Sequence, residues 1–160
     1  MCDAIDKNIP IFGSCLGIQV IAKALGGEVI LDNEHREVGT YSITLNEDGQ
    51  QDPLFSKFPK TFLTQMGHKC RASVLPEDAV SLASSDLCPV HSFKLKNKMV
   101  YATQFHPELN YHDNVKRLKY YYQNYHHASQ EESSEEILMK FKEDDTNSTL
   151  LSDFIMLVAG

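Results

Sequence analysis

The chain has 160 residues, enough for one domain with a real core, and 42% apolar against 23% charged residues places it among globular proteins rather than disordered chains. Its formal net charge of −7 is concentrated from Ala128 onward, where eight acidic residues face two lysines, so the remainder is nearly neutral. There is no basic stripe and no run long and apolar enough to span a bilayer, so neither nucleic acid nor membrane is an expected partner.

In chain order, Ile9, Ile11 and Phe12 form a short apolar run that reads as a buried strand, and Leu16 to Leu25 then reads as a helix. Gly13 and Gly17 bracket the corner between them and leave Cys15 at the helix N-terminus, the pattern of a nucleophile elbow with a thiol at its centre. The positive end of the helix dipole favours the thiolate there, and the Leu16 N–H is free to help bind an oxyanion. Gly26-Gly27 stops the helix, and Glu28 to Leu31 and Gly39 to Leu45 read as strands. Asn46 to Gly49 is a turn by composition, Asp52 to Phe55 a short helical turn, and Thr61 to Met66 a strand. Leu75-Pro76 ends the next segment. Ala79 to Ala83, Val90 to Leu95 and Met99 to Phe105 read as successive strands, the last two joined like a hairpin at Lys96-Asn97-Lys98.

Beyond Glu108 the spacing of Val115, Leu118, Tyr121 or Tyr122, and Tyr125 predicts a helix, with the tyrosines Tyr120 to Tyr122 serving core and boundary packing. Ser129 to Glu136 reads either as a solvated linker or as the polar first turn of a helix continuing through Ile137, Leu138 and Phe141. Thr149 to Val158 is expected to be a last helix.

A glycine-flanked cysteine alone is a weak signal, since a free cysteine is often only a small buried apolar residue. The second signal is Gln104-Phe-His-Pro-Glu108, directly after a strand-like run. A histidine just past one strand end can reach a nucleophile at another, and Glu108 can hold its imidazole in the useful tautomer.

Together, Gly13-Ser-Cys-Leu-Gly-Ile-Gln19 and Gln104-Phe-His-Pro-Glu108 resemble the catalytic signature of class I glutamine amidotransferases, over about Ile9 to Leu109. Gly67-His68 through Leu75-Pro76 is similar to the stand-alone members related to GMP synthase amidotransferase domains. The resemblance implies an α/β fold of flavodoxin-like type: a mixed, largely parallel sheet with helices on both faces. It implies Cys15 as nucleophile, His106 as general base and acid, Glu108 as its orienter, and Leu16, Gln19, Gly67 and His68 as substrate-binding positions for glutamine. Ser14 departs from the aliphatic residue usual in the family. The family also carries strands ahead of the elbow, including a glycine-rich turn that donates another oxyanion N–H. The elbow strand arrives almost at once here, so residues 1–127 are expected to form an N-terminally incomplete catalytic domain. Residues 128–160 are expected to be an acidic segment and C-terminal helices packing on it.

Four cysteines (Cys2, Cys15, Cys70, Cys88) without a dense framework, and no secretory signal before the first strand, fit a reducing compartment, with cytoplasm the expected location. His68-Lys-Cys70 and Cys88-Pro-Val-His91 have the donor types of tetrahedral zinc, but the first spacing is tighter than usual. A thiol and an imidazole need no Lewis acid, so no metal and no cofactor are expected. The expected activity is hydrolysis of the glutamine side-chain amide through a cysteine thioester, with a separate ammonia-accepting synthetase as a candidate partner. Two rivals stay open: a γ-glutamyl peptide hydrolase with the same triad, and a catalytically impaired interaction domain.

Overall fold

The computed structural model describes residues 1–125, 133–144 and 146–160. Its elements are α1 (Cys2–Asp6), β1 (Ile11–Ser14), α2 (Leu16–Ala24), β2 (Glu28–Leu31), β3 (Glu37–Leu45), α3 (Glu47–Gln51), β4 (Thr61–His68) and β5 (Cys70–Val74). There follow β6 (Ala79–Ser84), β7 (Ser92–Leu95), β8 (Val100–Thr103), α4 (Tyr111–Tyr125), α5 (Ser134–Leu138) and α6 (Leu150–Ala159). Six strands form one sheet in the order β1-β8-β7-β6-β3-β4, and β2 pairs with β5 in a second, two-stranded sheet. The larger sheet is mixed. β1 runs parallel to β8, with Gly13 opposite Ala102 and Ser14 opposite Thr103, whereas its other pairings are antiparallel.

Side-chain alternation along β8 divides the core between the two faces of this sheet. Tyr101 points into a cluster with Ile43, Leu45, Phe55, Phe62 and Phe105, while Val100 and Ala102 face Ile18, Ile21, Phe93 and Leu95. The second cluster explains α2: its Ile18, Ile21 and Ala22 fall on one helical stripe and are completely buried against the sheet. The expected last helix is α6, which inserts Leu150 and Phe154 into the first cluster. The Phe154 ring lies 5.3 Å from Phe12 and 5.9 Å from Tyr101. A smaller cluster of Leu118, Ile137 and Phe141 joins α4 to α5.

Local departures from the sequence expectation have local causes. Asn46 to Gly49, expected as a turn, is the start of α3, because the Asn46 side chain accepts from the Gly49 N–H and caps a helix. The short α1 has no counterpart among the elements expected from the sequence. Of the two readings of the acidic stretch, the helical one holds for α5: Ser133 and Glu136 form a reciprocal capping box, and the helix ends at Leu138, short of Phe141. Residues 126–132, and with them the expected boundary between 127 and 128, lie outside the described residues. Tyr120 and Tyr121 are exposed rather than core. No described helix is long and apolar enough to cross a membrane.

One polar group sits at the heart of the first cluster. Asp52 is buried; its Oδ1 accepts from the Leu54 and Phe55 N–H groups, and its Oδ2 accepts from Lys94 Nζ at 2.6 Å and Tyr101 Oη at 3.0 Å. This carboxylate therefore joins the loop after α3 to β7 and β8, and removing it strands a cation and a buried hydroxyl. Asp52→Ala is expected to destabilise the fold by about 3 kcal/mol, as for other broken buried pairs. Urea denaturation of both proteins measures this, and a loss below about 1 kcal/mol would show the carboxylate to be dispensable.

Candidate active site

The site begins with backbone geometry. Cys15 follows β1 and caps α2 with φ 50° and ψ −97°, a left-handed conformation that a non-glycine residue adopts only when its surroundings force it. Two contacts do so here. The Cys15 N–H donates to the Thr103 carbonyl at 2.8 Å, extending the β1–β8 pairing by one residue, and α2 starts at once from Leu16. Gly13 permits the sharp return: a Cβ there would lie 2.7 Å from Ile21 Cδ1 and 2.9 Å from the Gly17 carbonyl carbon. Gly17 is needed less, since a Cβ on it would point into open space.

The same pairing carries β8 to its end beside the elbow. Past Thr103 the chain is held by Thr103 Oγ1 donating to the Phe105 carbonyl and by the His106 N–H donating to the Gln65 carbonyl at 2.9 Å. His106, 7% exposed, has its Nδ1 2.6 Å from Glu108 Oε1. Ser14 also helps to hold the Glu108 carboxylate in its charged form. Burial would raise the Glu108 carboxyl, but the bonds from His106 and Ser14, with a backbone bond, outweigh it and hold the group below its usual range.

Arg117, on α4, is the residue that sequence reading missed. Its Nη1 lies 2.8 Å from His106 Nε2. The same Nη1 is 3.3 Å from Nδ1, so the guanidinium lies over the imidazole face, and because the Glu108 carboxylate only accepts, Nδ1 carries the hydrogen given to it and Nε2 is the basic nitrogen. The imidazole is thus in the tautomer a general base requires, with Arg117 crowded against its face beside the basic nitrogen. Gly67 makes room for the guanidinium: a Cβ there would run into Arg117 Nη2. A helical arginine eleven residues beyond the histidine has no spacing rule to announce it.

Cys15 Sγ has weak partners, the Gly67 carbonyl and Gln104 Nε2, each at 3.9 Å. Among the described residues no hydrogen bond joins it to His106. Burial pushes the Cys15 thiol above its ordinary value, and Arg117 together with the Leu16 N–H draws it back only in part. Burial here thus works against the thiolate that the helix dipole favours.

The remaining predicted positions separate into two groups. Leu16 is exposed at the mouth of the elbow, and Gly67 borders Cys15 directly. Gln19 Nε2 donates to the Cys70 carbonyl at 2.9 Å, tying α2 to β5. His68 turns inward, with Nε2 2.9 Å from Glu37 Oε2. His91 Nε2 lies at the same distance from that oxygen, and Cys88 is close by. Burial would raise Glu37, yet the bonds from His68 and His91 hold it at about 2. Next to the elbow, a cavity of about 340 Å³ is lined by Arg36, Gly67, His68, Lys69, Arg117 and Tyr121, among others.

The fold thus sets a cysteine at a strand-to-helix elbow beside a histidine–glutamate pair just past the neighbouring parallel strand, and the family comparison fits this arrangement. Residues 1–140 match the family model of glutamine amidotransferase class-I, and the chain belongs to that family. Among relatives, it is 39% identical over 106 residues to the glutamine-hydrolysing GMP synthase subunit of Methanocaldococcus jannaschii, covering 66% of this chain and 54% of that protein. It is 38% identical over 104 residues to the protein of the same name from Methanobrevibacter smithii. The chain spans about half the length of these curated relatives (54% and 53%). The fold is shared with a glutamine amidotransferase from Thermotoga maritima, at TM-score 0.77 and 24% identity over 97% of this chain and 64% of that one. A glutamine amido transferase from Methylobacillus flagellatus aligns at TM-score 0.73 and 25% identity, covering 99% of this chain and 64% of that one.

Arg117 is the nearest cationic influence on the thiol, so its removal leaves burial less opposed. Arg117→Met is expected to shift the pH profile of Cys15 alkylation by a small neutral electrophile to higher pH. An unchanged or lowered midpoint would show that the guanidinium does not act on the sulfur.

Proposed function

We propose that this chain hydrolyses the side-chain amide of glutamine and releases ammonia for a synthetase carried on a separate protein. The observation that carries the reading is the His106–Glu108 bond of 2.6 Å at the end of β8, one parallel pairing away from Cys15. Family membership and relatives named as glutamine-hydrolysing proteins support it. Four free cysteines support a reducing compartment, and hence the cytoplasm.

In this reading Arg117 leaves the imidazole when glutamine enters, and His106 Nε2 takes the proton of the Cys15 thiol. The sulfur adds to the amide carbon, and the oxyanion that forms is stabilised by the Leu16 N–H at the start of α2. The imidazolium, steadied by Glu108, gives its proton to the departing nitrogen; the C–N bond breaks, ammonia leaves and a γ-glutamyl thioester remains. Water then adds to the thioester, with His106 accepting its proton, and the collapse returns the sulfur, takes back that proton and releases glutamate. Ser14 and Glu108 act on this sequence only through the imidazole, which makes them positioning residues. Gly67 and His68 contribute the wall of the glutamine pocket, and Gln19 its link to β5.

Cys15→Ala is expected to abolish ammonia release from glutamine, and His106→Asn to lower kcat roughly 100-fold to 10,000-fold, the usual worth of a positioned acid–base group. Coupled detection of ammonia and glutamate measures both. Equal turnover by wild type and Cys15→Ala, or release from γ-glutamyl peptides but not from glutamine, would overturn the assignment.

A further inference from the structure

The cluster of Glu37, His68, Cys88 and His91 lies outside the catalytic triad, and its composition is unusual for a purely structural network. Glu37, Cys88 and His91 are each 0% exposed and His68 is 5% exposed. One ligating atom from each lies within 4.8 Å of all the others. We propose that these four side chains form a closed structural site for a zinc-like divalent cation.

The elements deliver the four groups from three directions. Glu37 opens β3 and stands opposite His68, the last residue of β4. Cys88 and His91 flank Pro89-Val90 in the connection from β6 to β7, a two-residue spacing of the kind that supplies two ligands from one turn. Ser85 shapes that turn: its Oγ accepts from the Cys88 N–H at 3.0 Å, and its own N–H donates to the Cys88 carbonyl. The sequence pairing of His68 with Cys70 is thus replaced. The Cys70 carbonyl engages Gln19, and Glu37 takes the fourth position from across the β3–β4 pairing.

Charge and donor chemistry favour a cation. Glutamate and thiolate balance a divalent ion, and two imidazoles complete the set while neutral, so the buried site closes at zero net charge. Both Nε2 atoms converge on one carboxylate oxygen at 2.9 Å each. The Cys88 thiol is left with the Val90 carbonyl at 3.3 Å, and His91 Nε2 also lies 2.9 Å from Ser85 Oγ. Ligand atoms on a tetrahedral zinc sit about 3.3–3.7 Å from one another, so the cluster needs only a small adjustment. Two nitrogens, one sulfur and one oxygen suit zinc or cobalt and not magnesium or calcium. Ser85 Oγ, 2.9 Å from Glu37 Oε1, supplies the outer hydrogen bond that orients a ligating carboxylate. Four protein ligands leave no open position, so the ion serves the fold and takes no part in amide hydrolysis.

Its effect would nonetheless reach the elbow. His68 follows Gly67, whose carbonyl faces Cys15, and the His91 carbonyl accepts from the Gln104 N–H at 2.8 Å, with Gln104 Nε2 on the other side of the same sulfur. The ion would pin both walls of the nucleophile's niche.

The test is cobalt substitution of the whole chain, purified without chelator and stripped of metal, followed by absorption spectroscopy and zinc competition. Wild type and Cys70→Ser are expected to show a thiolate-to-cobalt charge-transfer band with tetrahedral ligand-field intensity, displaced by about one zinc per chain. Cys88→Ser is expected to lose the band, and His91→Gln to weaken zinc affinity roughly 100-fold or more. Glu37→Gln, which keeps size and hydrogen bonding, is expected to retain the band at lower affinity, so the site can be read even if Cys88→Ser does not fold. Folded wild type with no charge-transfer band, or a band that survives in Cys88→Ser and vanishes in Cys70→Ser, would overturn the proposal.

Discussion

The β1–β8 pairing is the constraint on which the rest of the site depends. It is the parallel contact within the six-stranded sheet, and it is extended past Ser14 by the Cys15 N–H donating to the Thr103 carbonyl. Parallel pairing sends two strands out of the sheet at the same end, so the residues following each emerge side by side. One strand turns at once into α2 and presents a sulfur. The other is caught by the Gln65 carbonyl and presents an imidazole–carboxylate pair. An antiparallel arrangement of the same two strands would place those groups at opposite ends of the sheet.

The elements legible in the sequence are those whose pattern is local. The β1 elbow, α2 with its Ile18–Ile21–Ala22 stripe, the β7–β8 hairpin turning at Asn97, and α4 all follow from apolar period and turn chemistry. Local rules say little about which strands become neighbours. The antiparallel placement of β6 beside β3, made by pairing Thr44 with Ser84 and Leu45 with Ala83, has no signature in either segment. α3 is hidden for a related reason: Asn46 and Gly49 are turn formers by composition, and the capping bond between them starts a helix instead.

The same distinction applies at the site. Cys15, His106 and Glu108 sit in two compact motifs, and the structure brings those motifs to one edge of the sheet. Arg117 reaches His106 from the side of α4, and Ser14 reaches Glu108 from the neighbouring strand. Both contacts depend on packing. The Glu37–His68–Cys88–His91 cluster is half visible, since two Cys/His pairs stand out in the sequence. Only the β3–β4 register reveals that Glu37, thirty-one residues before His68, belongs with them and that Cys70 does not.

The left-handed backbone of Cys15 bears on how this position responds to substitution. A side-chain-bearing residue held there costs on the order of 1–3 kcal/mol, a cost that glycine does not incur. Folding and chemistry therefore pull in opposite directions at this one codon. On the proposed mechanism, drift toward glycine would yield a sturdier but inert protein, and selection for that reaction is what would keep a thiol in place. The elbow is a point where fitness and stability are measured on separate scales, and a stabilised descendant of this chain would be the first place to look for lost activity.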